Sequence, residues 1–374
     1  MALNCGIVGL PNVGKSTLFS ALSAAPAEAA NYPFCTIDPN VGIASVPDER
    51  LDRLRAIFNP KKTIPAAVEF VDIAGLVKGA SKGAGRGNQF LSHIRECALL
   101  IHAVRCFDNP DIIHVENKVD PADDIETINI EMAFADLDTL AKRKDRAERA
   151  LKISQEKKQA ETALAALGKI GPLLENGGSA RTAALSDEEA ASIDDCRFIT
   201  MKPVLYVCNL DEDGMKEIAA GKSVPHVEAV KAAAAADHSE FVCICGKFEA
   251  ELAGMSGIDI EEKKAFLGEL GLKESGLSAL IRSAYHLLGL RTFFTAGADE
   301  CRAWTIHAGD RAPKAAGVIH TDFEKGFIKA EVYSCDDIFY YGTEAKIKEA
   351  GKYRMEGKEY IVQDGDVMFF KFNI

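Results

Sequence analysis

No Cys-x-x-Cys pair occurs in this chain, although it holds ten cysteines; the closest two, Cys243 and Cys245, have one residue between them. Zinc ribbons and dithiol redox motifs are thereby unsupported, and the scattered thiols suit a reducing cytosol rather than a disulfide framework. Long hydrophobic runs are also missing. The longest, such as Ala98 to Val104, are far too short for a bilayer, which takes about 20 residues. A signal peptide is not expected, because the first apolar residues already read as a strand. Positive charge is in deficit: 44 Lys and Arg stand against 56 Asp and Glu, a net charge of -12. That argues against coating nucleic acid through overall charge, and leaves room for a local basic patch. What remains is ordinary for a soluble, cytoplasmic globular protein: 374 residues, 47% hydrophobic and 27% charged, enough for two or three domains.

Against that background one stretch stands out. Gly9-Leu10-Pro11-Asn12-Val13-Gly14-Lys15-Ser16, followed by Thr17, matches G-x-x-x-x-G-K-[ST], the phosphate-binding loop of nucleotide triphosphatases. Leu3 to Val8 before it reads as a buried strand, and Leu18, Phe19 and Leu22 after it open a helix. Two glycines let backbone N–H groups close around phosphate oxygens, and the helix N-terminus adds its positive dipole end. Asn12 to Thr17 are therefore the expected phosphate ligands. Lys15 reaches the β- and γ-phosphates, and the Ser16 hydroxyl is the expected Mg²⁺ ligand.

Pro65 to Val71 reads as a strand that ends in Asp72-Ile73-Ala74-Gly75, a D-x-x-G. Asp72 stands where such folds support Mg²⁺, and Gly75 can turn its N–H to the γ-phosphate. Thr36, in the Pro- and Asn-bounded loop Asn31 to Asn40, would complete the metal shell; the plain alternative is a turn threonine. Cys35 beside it is a candidate for oxidative inhibition, against the plain reading of a buried inert thiol. Leu76 to Asn88 is rich in Gly, Lys and Arg, and reads as a switch loop ordered by nucleotide or a partner.

Further along, Val41 to Val46 reads as a strand, Pro47 to Phe58 as an amphipathic helix, Phe90 to Cys97 as a helix and Ala98 to Val104 as a buried strand. From about Asp124 to Asp194 the composition turns to Ala, Lys, Glu and Leu. Ile130, Phe134, Leu137 and Ala141 form one helical seam; Leu164, Leu167 and Ile170 form another. Gly171-Pro172 and Gly177-Gly178 should break it, and Ser186 with Glu189 looks like a capping box. This reads as an inserted helical hairpin. Its first arm, Lys142 to Lys158, carries eight Lys and Arg against three Asp and Glu, so 8 − 3 = +5. It is a candidate RNA or partner surface, or else a solvated helix face. Met201 to Cys208 returns to a buried strand ending in Asn209. Helices at 227–236, 261–270 and 276–288 flank a strand at 240–245. The tail from about Arg291 is strand-rich, with strands near 303–306, 328–333, 360–362 and 367–372 and a helix near 334–341, a small α+β domain.

With these residues placed, the sequence resembles the YchF subfamily of Obg-like ATPases, among the translation-factor-related P-loop NTPases. The likeness rests on Gly9–Thr17, Asn31–Asn40, Asp72–Gln89, Val104-Arg105-Cys106-Phe107, Ala303–Ile306, Gly317–Lys329 and Asp364-Gly365-Asp366-Val367. It implies an α/β fold: a Ras-like domain at 1–125 and 199–288, an inserted coiled-coil hairpin at 126–198, and a C-terminal ubiquitin-like β-grasp (TGS) domain at 289–374. It also implies ATP hydrolysis in preference to GTP, association with ribosomes or ribosomal RNA, and a link to stress responses. DNA, membranes and self-association are not expected; the chain should be a monomer.

Two positions complicate the assignment. Asn117-Lys118-Val119-Asp120 spells N-K-x-D, the guanine-reading motif, but no long buried strand precedes it. Asn209-Leu210-Asp211-Glu212 does end such a strand, so Asn209, Leu210 and Glu212 are the expected base contacts. Leu76 follows D-x-x-G where Ras-like enzymes often carry a water-orienting Gln, so intrinsic hydrolysis should be slow. The resemblance points to His114 as the replacement, with His93 the local competitor. Two further readings stay open: a GTPase of the same fold, and an RNA- or ribosome-binding adaptor that holds nucleotide without turning it over. A small-molecule kinase fits less well, because Thr36 and Asp72 to Gly75 form a switch pattern.

Overall fold

A computed structural model describes residues 4–24, 40–73, 86–115, 118–153, 155–255 and 260–373. In chain order its first elements are β1 (Asn4–Val8), α1 (Lys15–Ala24), β2 (Val41–Ser45), α2 (Glu49–Phe58), β3 (Lys62–Ile64), β4 (Ala67–Asp72), α3 (Arg86–Glu96) and β5 (Leu99–Arg105). Then come α4 (Pro121–Ala150), α5 (Lys157–Glu175), α6 (Asp187–Ser192), β6 (Val204–Asn209), α7 (Glu212–Ala219), α8 (Pro225–Ala236), β7 (Glu240–Ile244), α9 (Gly246–Gly254), α10 (Ile260–Glu269) and α11 (Gly276–Leu287). The C-terminal part holds β8 (Leu290–Ala296), β9 (Glu300–His307), α12 (Ala312–Ile319), α13 (Thr321–Lys325), β10 (Phe327–Ser334), α14 (Cys335–Tyr341), α15 (Glu344–Glu349), β11 (Arg354–Glu356) and β12 (Asp366–Phe372).

The chain divides into two compact units, one of residues 1–43 and 69–280, the other of 44–68 and 281–374. The first is built on a six-stranded sheet of order β2-β4-β1-β5-β6-β7. Its β4-β1-β5-β6-β7 pairs are all parallel. β5 and β6 are buried at every position, as expected of central strands covered on both faces. The carboxyl ends of β1, β4, β5 and β6 therefore share one edge of the sheet, where ligands bind in open α/β folds.

The helical hairpin grows from this unit. Its root is set by Asp136, fully buried on α4, which accepts from the Ile199 and Thr200 amides at 3.0 and 2.8 Å and from the Thr200 hydroxyl at 2.8 Å. The expected seam holds at Leu137 but not at Phe134, which is 42% exposed; Ala133 and Leu140 pack with Leu137 in the hairpin core instead. The cause is that α4 is buried on two sides. Ile125, Ile128, Met132 and Ala135 face the sheet core, so its apolar positions follow no single 3.6-residue stripe. Nor does Gly171-Pro172 break α5, which runs through Pro172 to Glu175. Burial of Ile170, Gly171 and Leu174 offsets the hydrogen bond that proline cannot donate.

The second unit has a mixed sheet of order β11-β10-β12-β8-β9-β3. Phe293, Ile306, Met368 and Phe370 pack there with Ala312, Ala315 and Ala316 of α12. The segment 44–68, read from the sequence as part of the nucleotide-binding domain, contributes β3, which pairs with β9 in parallel. It also contributes Arg50, held between Asp48 and Asp364. Residues 360–362, expected as a strand, make one isolated bridge, Arg311 to Ile361.

One buried group gives the first unit a testable acid sensitivity. His102 on β5 is 2% exposed, its ring lies against Tyr206, and its Nδ1 has no hydrogen-bond partner among the described residues. Burial pushes its pKa down to about 3, with Asp237 opposing. A free histidine titrates near 6.5, so below that pH the unfolded chain takes up a proton that the folded chain refuses. The stability from a neutral His102 is complete above about pH 6.5 and is lost as the pH falls toward 3. At pH 5 the loss relative to pH 7.5 is about 2 kcal/mol. Urea unfolding at the two pH values measures it, and His102→Leu should remove that part of the difference. An equal pH dependence in both proteins would contradict it.

Candidate nucleotide site

The loop between β1 and α1 has backbone conformations that its glycines permit. Gly9 has φ +152, and a Cβ there would stand 2.5 Å from the Ala103 carbonyl oxygen; Gly14 has φ +98, and a Cβ there would stand 2.2 Å from Asn209 Nδ2. Asn12 between them is left-handed at φ +63, a conformation asparagine tolerates better than most residues. α1 starts at Lys15 with no acidic residue in its first turn, so its positive dipole end is uncompensated. Ser16 and Thr17 are exposed there. Lys15 is 9% exposed, and its ammonium donates to the Leu10 carbonyl at 2.7 Å. Burial lowers its pKa, while the Asp72 carboxylate opposes that shift. The reciprocal holds for Asp72, raised by burial and pulled back by Lys15. The pair stands at the carboxyl ends of β1 and β4.

Asn209, at the end of β6, binds this loop to its neighbours. Its Nδ2 donates to the Val13 carbonyl at 2.9 Å, and its Oδ1 accepts from the Gly246 amide at 3.0 Å. One N–H and one lone pair remain on the side chain. Beside it lies a cleft of about 580 Å³, lined among others by Phe107, Ile112, Leu210, Glu212, Cys245 and Lys247. Leu210 is 2% exposed, an apolar surface at the cleft wall. Glu212 opens α7, and its carboxylate meets the Lys247 ammonium at 3.4 Å. Asp211 caps the same helix by accepting from Gly214 N at 2.8 Å.

The third wall is the loop after β5. Arg105 is 1% exposed and donates to three carbonyls, Phe107 at 3.0 Å, Asn109 at 3.0 Å and Ile112 at 2.9 Å. Asn12 of the phosphate loop donates to the next carbonyl, Ile113, at 3.0 Å. His114 follows directly. It is 5% exposed, and its Nε2 lies 3.1 Å from Asp124 Oδ2 in the first turn of α4. The structure thus ties the His114 loop to the phosphate loop and turns the imidazole toward α4. His93 is exposed on α3.

Other expected positions sort as follows. Thr36, Gly75, Leu76, Cys35 and Asn117 lie outside the described residues. Lys118 and Asp120 pair with each other at 2.7 Å just before α4, not at the end of a buried strand. Arg105 and Cys245 to Lys247 were not singled out from the sequence as site residues. The available signal was an Arg closing a wholly buried strand, which needs partners for five N–H donors. The residues present fit a magnesium ion. Ser16 and Asp72 offer hard oxygen donors, which Mg²⁺ takes in ones and twos beside substrate phosphates.

A family model described as a 50S ribosome-binding GTPase matches residues 4–144, and the C-terminal YchF-GTPase model, described as a protein of unknown function, matches 290–373. The chain is 54% identical to the ribosome-binding ATPase YchF of Escherichia coli O157:H7 and 52% identical to those of Bacillus subtilis and Haemophilus ducreyi. In each case the similarity covers 100% of both chains. Among solved structures it is similar to the Schizosaccharomyces pombe YchF GTPase, with TM-score 0.85 and 38% identity over 99% of this chain and 97% of that one. A GTP-binding protein from Pyrococcus horikoshii shares the fold at TM-score 0.60 and 19% identity, over 99% of this chain and 100% of that one. The architecture is the expected α/β one, a P-loop G domain followed by a YchF-type C-terminal domain. By full-length similarity to its curated relatives, the chain belongs to the YchF family.

Proposed function

We propose that this chain is a cytoplasmic, ribosome-binding switch that binds and slowly hydrolyses ATP, and GTP less well, in translation or its stress regulation. Hydrolysis by a P-loop NTPase and association with ribosomes rest on the family. The base preference rests on one observation in this chain: the cleft beside Asn209 is walled by Leu210, and Glu212 is drawn to Lys247. Guanine is read by an Asp that accepts from N1–H and the 2-amino group, beneath a Lys stem. Neither residue is at its place here.

Within this reading Asn12 to Thr17 and the α1 amides bind the phosphates, and Lys15 leaves Leu10 for the β- and γ-phosphates. Ser16, Thr36 and Asp72 would hold Mg²⁺, which would offset the charge of the phosphates. Gly75 senses the γ-phosphate. Asn209, Leu210 and Glu212 face the base, and His114, rather than Leu76, positions the attacking water. The working parts are a nucleotide-binding domain at 1–125 and 199–288, a hairpin at 126–198 whose basic arm meets ribosomal RNA, and a TGS domain at 289–374. The protein acts as a monomer and takes neither DNA nor membranes. A GTPase reading is favoured by the G-domain family, described as a 50S ribosome-binding GTPase, and by the fission-yeast relative, named a GTPase. Direct titration separates the two: tighter binding of ATP is expected, and tighter binding of GTP would contradict the proposal.

A further inference from the structure

Asp124 is the exception among the buried aspartates. Asp136, three turns along the same helix, accepts from two amides and a hydroxyl and has Arg95 at 3.8 Å. Asp237 accepts from the Tyr206 hydroxyl at 2.8 Å and pairs with Arg181. Asp366 accepts from the Tyr360 hydroxyl at 2.7 Å and the Gln363 amide at 2.9 Å, and pairs with Arg354 at 3.2 Å. Asp310 accepts from the His307 amide and Lys314. Asp124 is 3% exposed, its Oδ2 meets His114 Nε2 at 3.1 Å, and its Oδ1 has no partner among the described residues. An interior carboxylate kept for stability alone is normally satisfied at both oxygens, because a bare buried acceptor is costly. One kept half-paired beside an imidazole has the arrangement that orients histidines in catalytic triads.

We propose that Asp124 is the positioning residue of His114, and that through it the root of the helical hairpin sets the imidazole for hydrolysis. An ionised carboxylate only accepts, so Nε2 carries the proton and Nδ1 is the basic nitrogen. The ring's place along the chain is already fixed, by Arg105 on Ile112 and by Asn12 on Ile113. Asp124 adds a constraint on the ring's rotation and tautomer. It lies in the first turn of α4, a helix of 30 residues whose other end carries part of the basic arm. A partner that shifts this helix shifts the carboxylate that the imidazole meets.

The inference rests on His114 acting in hydrolysis, so the experiment carries both residues. Saturating and subsaturating Mg-ATP turnover is measured for the unmodified protein, His114→Ala, Asp124→Ala, Asp124→Glu, the double Ala variant and Asp366→Asn. Both single Ala variants should lose about a hundredfold in kcat, the low edge for a general acid–base group, with KM changed less than about twofold. The double variant should be no slower than His114→Ala, because both changes remove one function. Asp124→Glu should recover part of the rate. Asp366→Asn, at a buried aspartate of the C-terminal unit, should lower the melting temperature and leave kcat alone. If Asp124→Ala is too unstable to assay, Asp124→Asn serves: it keeps the shape and weakens the acceptor, and should lower kcat at constant KM. A normal kcat for the Asp124 variants beside a slow His114→Ala overturns this inference and leaves the ATPase reading standing. Multiplying losses in the double variant also overturn it. A normal kcat for His114→Ala removes both.

Discussion

Lys15→Ala should lower ATP hydrolysis by about a thousandfold, close to 4 kcal/mol of transition-state stabilisation. The magnitude follows from where the amine sits. Lys15 is 9% exposed in a neighbourhood whose burial lowers its pKa, with Asp72 as the opposing charge. A cation in such surroundings interacts with phosphate much more strongly than one in water. Loss of fold does not account for the expected loss. Among the described residues the ammonium's hydrogen bond is to the Leu10 carbonyl, and its burial is itself unfavourable. The variant should therefore melt within a few degrees of the unmodified protein. Single-turnover hydrolysis with a melting curve checks both statements. A turnover near normal would remove the phosphate-loop assignment.

Restoring Lys at position 210 and Asp at position 212 should shift binding from ATP toward GTP by roughly five- to a hundredfold. A buried unpaired donor costs about 1–3 kcal/mol, and guanine presents two donors to this position while adenine presents none. Leu210 is 2% exposed within a cluster that includes Met215 and Cys245. A lysine there has to lay its stem along that apolar surface and carry its ammonium outward. Glu212→Asp also shortens the reach to Lys247, which now stands 3.4 Å from the longer carboxylate. Competitive titration of ATP against GTP on the double variant reads the shift. An unchanged preference would place base selection in backbone groups or in Cys245 to Lys247.

Much of this was legible because it is local. The strand, loop and helix around Gly9 to Thr17, the Asp at the end of β4 and the buried strand ending at Asn209 each declare themselves within a dozen residues. The Ser186 and Glu189 capping box is present as read. What was not legible depends on partners far away in the chain. Arg105 closes a buried strand and so needs partners, but nothing beside it says that they are the carbonyls of the loop that follows. Gly246 is joined to Asn209 across 37 positions. The Phe134 seam was misplaced because a helix buried on two faces has no single stripe to read. The grouping of 44–68 with the C-terminal unit depends on β3 finding β9 some 238 residues later, as the pair Lys62 to Glu300 shows. His114 was identified through family likeness, and its pairing with Asp124 needed coordinates.

The central claim is that this chain couples ATP, rather than GTP, to the ribosome. The measurement that bears on it most directly is steady-state phosphate release from each nucleotide, with and without purified ribosomes, at equal nucleotide concentrations. Slow release from ATP alone, faster release from ATP with ribosomes, and slower release from GTP in both conditions is the expected result. Faster release from GTP would contradict the base assignment, and tight ATP binding with no release under any condition would make the chain an adaptor instead.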